Sequence, residues 1–135
     1  MENIRWIQRF ENYKLAVANI EETLDCIKQH GLNKIYAMAL IQAFEIVFEL
    51  AWKTMKDYLG YEGISVDTPR ATIKTAFLHN IISDGQLWIE MLETRNKTSH
   101  TYNELFANTI TSEIINKYLS ALSALETTLT GKING

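Results

Sequence analysis

Along most of the chain the apolar positions recur at steps of three and four. Trp6, Phe10, Tyr13, Val17, Ile20, Leu24 and Ile27 form the first such stripe, the mark of a helix with one buried face, and predict a helix from Ile4 to about His30. His30–Gly31 closes it, because glycine enters the left-handed conformation of a helix C-cap without steric cost. The second segment, KIYAMALIQAFEIVFELAWKTMKDYLG, carries apolar residues on more than one face. A helix of that kind belongs in the middle of a bundle or in a subunit interface. GYEGISVD (60–67) reads as a connection. Thr68 is placed to cap a third helix with Pro69 at its first position, where a missing N–H removes no hydrogen bond, and this helix runs to about Asn80. Ser83 or Asp84 starts a fourth, GQLWIEMLETRNK, and the last begins near Asn103 and continues through FANTITSEIINKYLSALSALETTL. The closing TGKING has no apolar periodicity. No run alternates with the period of a strand, and no repeat or linker interrupts the pattern. The expectation is an all-α, up-and-down bundle of about five helices, one domain over residues 1–130 with a frayed tail at 131–135.

Composition narrows the function classes. At 135 residues, 47% of them hydrophobic and 21% charged, the chain is long enough to bury a core without staples. A net charge of −3 argues against a nucleic-acid surface spread over the whole chain, so any phosphate affinity has to be local. Cys26 is the only cysteine; it excludes an internal disulfide, fits a reducing compartment and sits in a helical pattern as a packing residue. The N-terminal MENIRWIQRFENYK mixes charges with apolar residues from its start, unlike a signal peptide. No stretch is read as approaching the roughly 20 apolar residues of a membrane span. The expectation is a cytoplasmic protein with no membrane partner.

Gly-rich phosphate loops, paired Cys ligands and a nucleophile elbow are all missing, and no metal or cofactor is expected. His30 and His79 fall at helix ends, where an imidazolium complements the helix dipole. Glu45 and Glu49, four apart, share a face of the second helix and would suit a metal or acid–base work. No His accompanies them at matching spacing, and such a glutamate more often pairs with an Arg or Lys from another helix. Trp52 and Trp88 read as core aromatics.

RNKTSHTY (95–102) is the stretch with chemical content. Arg95 offers a planar, permanently charged fork for phosphate oxygens, and His100 exchanges a proton near neutral pH. Asn96, Thr98, Ser99 and Thr101 supply hydrogen-bond donors, and Lys97 and Thr98 are candidate phosphate contacts. On an unbroken helix Arg95 and His100 would lie about 140° apart. They converge on one phosphate only if the helix ends or kinks between them, and the polar KTSH run is a place for that.

The stretch resembles the signature of the HEPN superfamily: an Arg commonly followed by Asn, a gap of four to six residues, then His. In its fuller form, Arg95, four residues, His100, one residue, Tyr102, it resembles the HepT-type toxins. IQAFEIVFELAWKTMKDYLGYEG, TPRATIKTAF and DGQLWIEMLETRNKTSHTY together resemble the nucleotidyltransferase substrate-binding proteins, a branch of the same superfamily, from about Phe10 to about Tyr118. Ala43 departs from the basic residue expected there in many relatives. The resemblance implies a helical bundle that dimerises, possible higher assembly left open, with the motif lining a cleft near the two-fold axis. It also implies a minimal nucleotidyltransferase as partner, encoded alongside. Active HEPN proteins are metal-independent ribonucleases, and in HepT-type pairs the partner adenylylates the motif Tyr and silences the toxin. Carried over, Arg95 and His100 would be catalytic, Asn96 supporting and Tyr102 the modification site, with RNA as substrate. The alternative is a non-catalytic subunit that presents a substrate to the nucleotidyltransferase; the plain reading is a bundle whose RNKTSH is only a polar kink. The intact Arg95, His100 and Tyr102 favour a working or regulated site, but both catalysis and binding use arginine for phosphate.

Overall fold

Each helix starts and stops on a local signal that the sequence carries. In the computed structural model, which describes residues 2–98 and 104–134, α1 spans Glu2–His30, α2 Lys34–Tyr61, α3 Pro69–Leu78 and α4 Gly85–Lys97. These are followed by α5 (Glu104–Glu113), a π-helical turn (Ile114–Tyr118) and α6 (Leu119–Asn134). Among the described residues none forms a strand. Gly31 ends α1 at φ 83°, its N–H donating to the Ile27 carbonyl at 2.8 Å. Asn33, a cap the hydrophobic pattern does not announce, opens α2 by accepting the Tyr36 N–H at 2.8 Å. Thr68 accepts the Ala71 N–H at 3.1 Å ahead of Pro69. Of the two candidates for the start of α4, Asp84 is the cap and accepts the Leu87 N–H at 3.0 Å. His30 lies in the last turn of α1, and His79 is the C-cap of α3.

α2 is the central element. α1 lies along it, and α3, α4 and α5 also pack against it. Its Leu40, Phe44, Val47, Phe48, Ala51 and Met55 are fully buried, together with Trp6, Phe10 and Tyr13 of α1, Trp88 and Met91 of α4 and Leu122 of α6. At about 1.5–3 kcal/mol for each large apolar side chain removed from water, this single cluster is the main stabilising contribution. The centrality of α2 also corrects one reading. It is 28 residues long with a mean hydropathy of 1.5 over its most apolar window, enough by length and composition to cross a membrane. Part of its apolarity, 44% of that window, is buried against the four helices around it. Trp88 is a core residue, whereas Trp52 is only half buried and packs on the core's edge.

The last helix differs from expectation in two ways. α5, the π turn and α6 run on as one rod, giving five rods in all among the described residues, and the rod widens by one residue at Ile114–Tyr118. The cause is visible in the spacing: Ile110, Ile114, Tyr118 and Leu122 are all buried, and successive steps of four drift about 40° each around a regular α-helix. The wider turn cancels that drift and keeps all four on the core. The rod also continues as far as Asn134, through residues expected to fray, with Gly131, Lys132 and Ile133 lining a cavity beside Ile7 and Tyr58.

Candidate functional site

On α4, Trp88, Met91 and Leu92 form the buried face, and Arg95 is next on that face, turned toward α2. The helix stops two residues later at Lys97, with Thr98 as its C-cap. This end falls between Arg95 and His100, within the stretch where the sequence suggests a break. His100 and Tyr102 themselves lie outside the described residues.

The Arg95 side chain is 32% exposed and faces both α2 carboxylates: Nη1 is 3.7 Å from Glu45 Oε2 and Nη2 is 3.9 Å from Glu49 Oε1. The reading of these glutamates as partners of a cation from another helix therefore holds, with Arg95 as that cation. Among the described residues no three His, Cys, Asp or Glu side chains gather as a metal-binding group. Both contacts are longer than a hydrogen bond, so they orient the guanidinium by charge without engaging its N–H donors. Arg95 Nε is buried with no hydrogen-bond partner among the described residues.

The two glutamates differ in their other contacts. Glu49 Oε2 accepts the Trp52 indole N–H at 3.3 Å and has Lys53 Nζ at 3.6 Å. Glu45 Oε2 takes the hydroxyl of Thr98 at 2.6 Å. That hydroxyl also lies 2.8 Å from the Arg95 carbonyl, but it has one proton, and the shorter contact to the charged acceptor is the stronger. Thr98 is 3% exposed. Its hydroxyl thus joins the end of α4 to α2. Ala43 is buried in the core and brings no charge to the site.

Asn96 and Lys97 are exposed. Lys97 faces the other side of α4, into a groove of about 300 Å³ shared with Thr94, Glu90, Glu113, Lys117 and Tyr118. There the hydroxyls of Thr94 and Tyr118 are 2.8 Å apart; burial raises the Tyr118 pKa, and the hydrogen bond to Glu113 raises that of Lys117. Arg95 and Lys97 therefore face different sides of α4.

An apolar strip leads to the Arg95 site along the outer face of α2. Ile35 is 77% exposed, Met38 and Ile46 are exposed as well, and Ile35, Met38, Gln42 and Glu45 line a groove of about 440 Å³. Another cavity, of about 590 Å³ between Arg5, Lys56 and Tyr61, begins roughly 10 Å further along α2 from Glu49 and contains none of the motif's described residues.

A helical bundle built on a central apolar helix, with an Arg–Asn pair at the point where its fourth helix ends, has the architecture of the HEPN proteins. An AMPylated HEPN toxin of Shewanella oneidensis, solved in complex with its MNT antitoxin, superposes with a TM-score of 0.74 over 93% of this chain and 96% of that one, at 14% identity. That is a likeness of fold. The chain belongs to the family of nucleotidyltransferase substrate binding protein like sequences, whose profile matches residues 8–131. A Haemophilus influenzae protein, described as having the fold of a substrate-binding domain of a nucleotidyltransferase, is 25% identical with a TM-score of 0.77, covering 90% of this chain and 98% of its own. A probable ribonuclease HepT of the same organism is 34% identical over 79 residues, 55% of this chain and 54% of that relative. The matched stretch thus spans just over half the length of this relative.

Proposed function

We propose that the protein is the HEPN subunit of a two-component nucleotidyltransferase system: a metal-independent ribonuclease that acts as a homodimer and is silenced when its partner adenylylates Tyr102. The observation that carries the reading is the ending of α4 at Lys97, between Arg95 and His100, with Arg95 held against the Glu45 and Glu49 carboxylates of α2. A relationship to a probable ribonuclease HepT supports it.

The chemistry follows from what RNA cleavage without a metal requires. One imidazole takes the proton of the 2′-hydroxyl, whose oxygen attacks the adjacent phosphorus. The bond to the 5′-oxygen breaks, and a second imidazole, protonated, gives its proton to that leaving oxygen. Charge developing on the phosphoryl oxygens is met by arginine. One protomer supplies a single His100. Two protomers related by a two-fold axis supply two His100 and two Arg95 from one short segment. The exposed strip of Ile35, Met38 and Ile46, leading to Glu45, is the face on which a second copy would sit. An adenylyl group on Tyr102, two residues from His100, would place negative charge where the RNA phosphate must lie.

The second reading, a substrate-presenting subunit without catalysis, is favoured by the description of the Haemophilus structure. The regulatory half of the proposal is tested with Tyr102→Phe and the nucleotidyltransferase encoded beside this chain. The wild type should gain mass by adenylyl increments and lose cleavage. The variant should cleave as well as the unmodified wild type and stay active in the partner's presence; a variant that is still silenced would remove Tyr102 as the switch.

A further inference from the structure

Resting on the ribonuclease reading, we propose that Glu45 is the positioning residue of the site. Through Thr98 it holds the end of α4, and through Arg95 it sets the direction of the guanidinium, so that a single carboxylate on α2 holds the helix end and the arginine together. The same oxygen, Oε2, makes both contacts, at 2.6 Å to the Thr98 hydroxyl and 3.7 Å to Arg95 Nη1. Thr98 is the C-cap of α4, two residues before His100. Anything that shifts its side chain shifts the end of α4 against α2 and, with it, Arg95. A misplacement of about 1 Å in such a constellation is enough to lower a rate on the order of a hundredfold.

Glu49 does not share this role. Its carboxylate is divided among Trp52, Lys53 and the longer contact to Arg95, and it touches nothing at the end of α4. Nor does Glu45 serve as a neutralising lid on the arginine. The Thr98 proton draws charge density on Oε2 toward the helix end, and the ion pair is left too long to engage the N–H groups. Removing the hydroxyl frees the carboxylate to close on Arg95, whereas removing the charge leaves Arg95 unaimed. Both changes damage the same step.

The test uses full-length protein made without its partner, a single-stranded RNA in EDTA, and the same strand in 2′-deoxy form, which binds but has no nucleophile. Glu45→Gln keeps size and an acceptor for Thr98 but loses the charge; Thr98→Val keeps shape but loses the hydroxyl; Thr98→Ser keeps the hydroxyl. Expected are a ten- to hundredfold fall in kcat for Glu45→Gln and Thr98→Val, on the scale of geometric misalignment. KM for Glu45→Gln should not rise, because a carboxylate that repels phosphate has gone. Thr98→Ser should return to within about threefold of wild type. The Glu45→Gln/Thr98→Val double variant should be no slower than the slower single, the non-additivity of two residues acting through one contact. Additive losses, or a Thr98→Val protein with wild-type kcat, would overturn the proposal. Thr98→Ser keeps the comparison meaningful if the valine variant folds poorly. Should the wild type cleave nothing, the ribonuclease reading fails, and binding of the deoxy strand decides the inference separately. Weaker binding in Arg95→Ala and Thr98→Val with recovery in Thr98→Ser supports positioning, and binding indifferent to Arg95 or to Thr98 overturns it.

Discussion

Two tyrosines carry their hydroxyls into the bundle and set its behaviour in alkali. Tyr13 donates to the Leu122 carbonyl at 2.6 Å, tying α1 to α6; burial first, then the negative charge of Glu126, holds its pKa well above the ordinary value. Tyr58 is raised from 10.0 to about 12, by burial first and then by its hydrogen bond to Glu62. Both shifts mean that the folded state keeps the proton more tightly than the unfolded chain. Their stabilising effect is complete below pH of about 10 and is lost as pH climbs from there through the folded-state values. Denaturant unfolding from pH 8 to 12 should therefore show stability falling above about pH 10, and Tyr58→Phe should have the shallower slope. Equal slopes in the two proteins would mean that Tyr58 titrates normally. At this scale the sequence disclosed residue types better than partnerships. That Glu45 and Glu49 would find a cation on another helix followed from their place in an apolar segment. That Thr98 would bond to Glu45 did not, because the two are 53 residues apart and no local spacing encodes a contact made by packing α4 on α2.

Most helix boundaries were legible because caps are local chemistry. Thr68–Pro69, Asp84 and Gly31 each stand within a few residues of the groups they satisfy. The π turn was not read, although its trace is there: three consecutive steps of four from Ile110 to Leu122 cannot remain on one face of a regular α-helix. A pattern that counts threes and fours as equivalent overlooks a run of fours. α2 was read as apolar on several faces, and the structure divides those faces between core and surface. Ile35, Met38 and Ile46 remain exposed, on the side that ends at Glu45. Met38→Glu puts a charge into that strip without touching the core. It should shift the protein from dimer to monomer in sedimentation velocity at micromolar concentration, and lower RNA cleavage at least tenfold, while the helical circular dichroism is unchanged. A Met38→Glu protein that still sediments as a dimer would place the interface elsewhere; a wild type that is monomeric under those conditions would remove the composite site altogether.

At the scale of the whole molecule, the fold does one thing for the motif: it ends the fourth helix beside the central one. The arginine then lies against α2. Charge is arranged to the same end. The chain is net acidic, and Arg95 and Lys53 face Glu45 and Glu49 in equal number, so the described part of the site is near neutral. The central claim is that this local arrangement cleaves RNA. Its most direct test is RNA cleavage in EDTA by protein expressed without its nucleotidyltransferase partner, beside a His100→Ala control. The account predicts cleavage by the wild type that disappears in the variant. A folded, unmodified dimer that leaves several classes of RNA intact would contradict it, and would make the arginine a holder of phosphate rather than part of a nuclease.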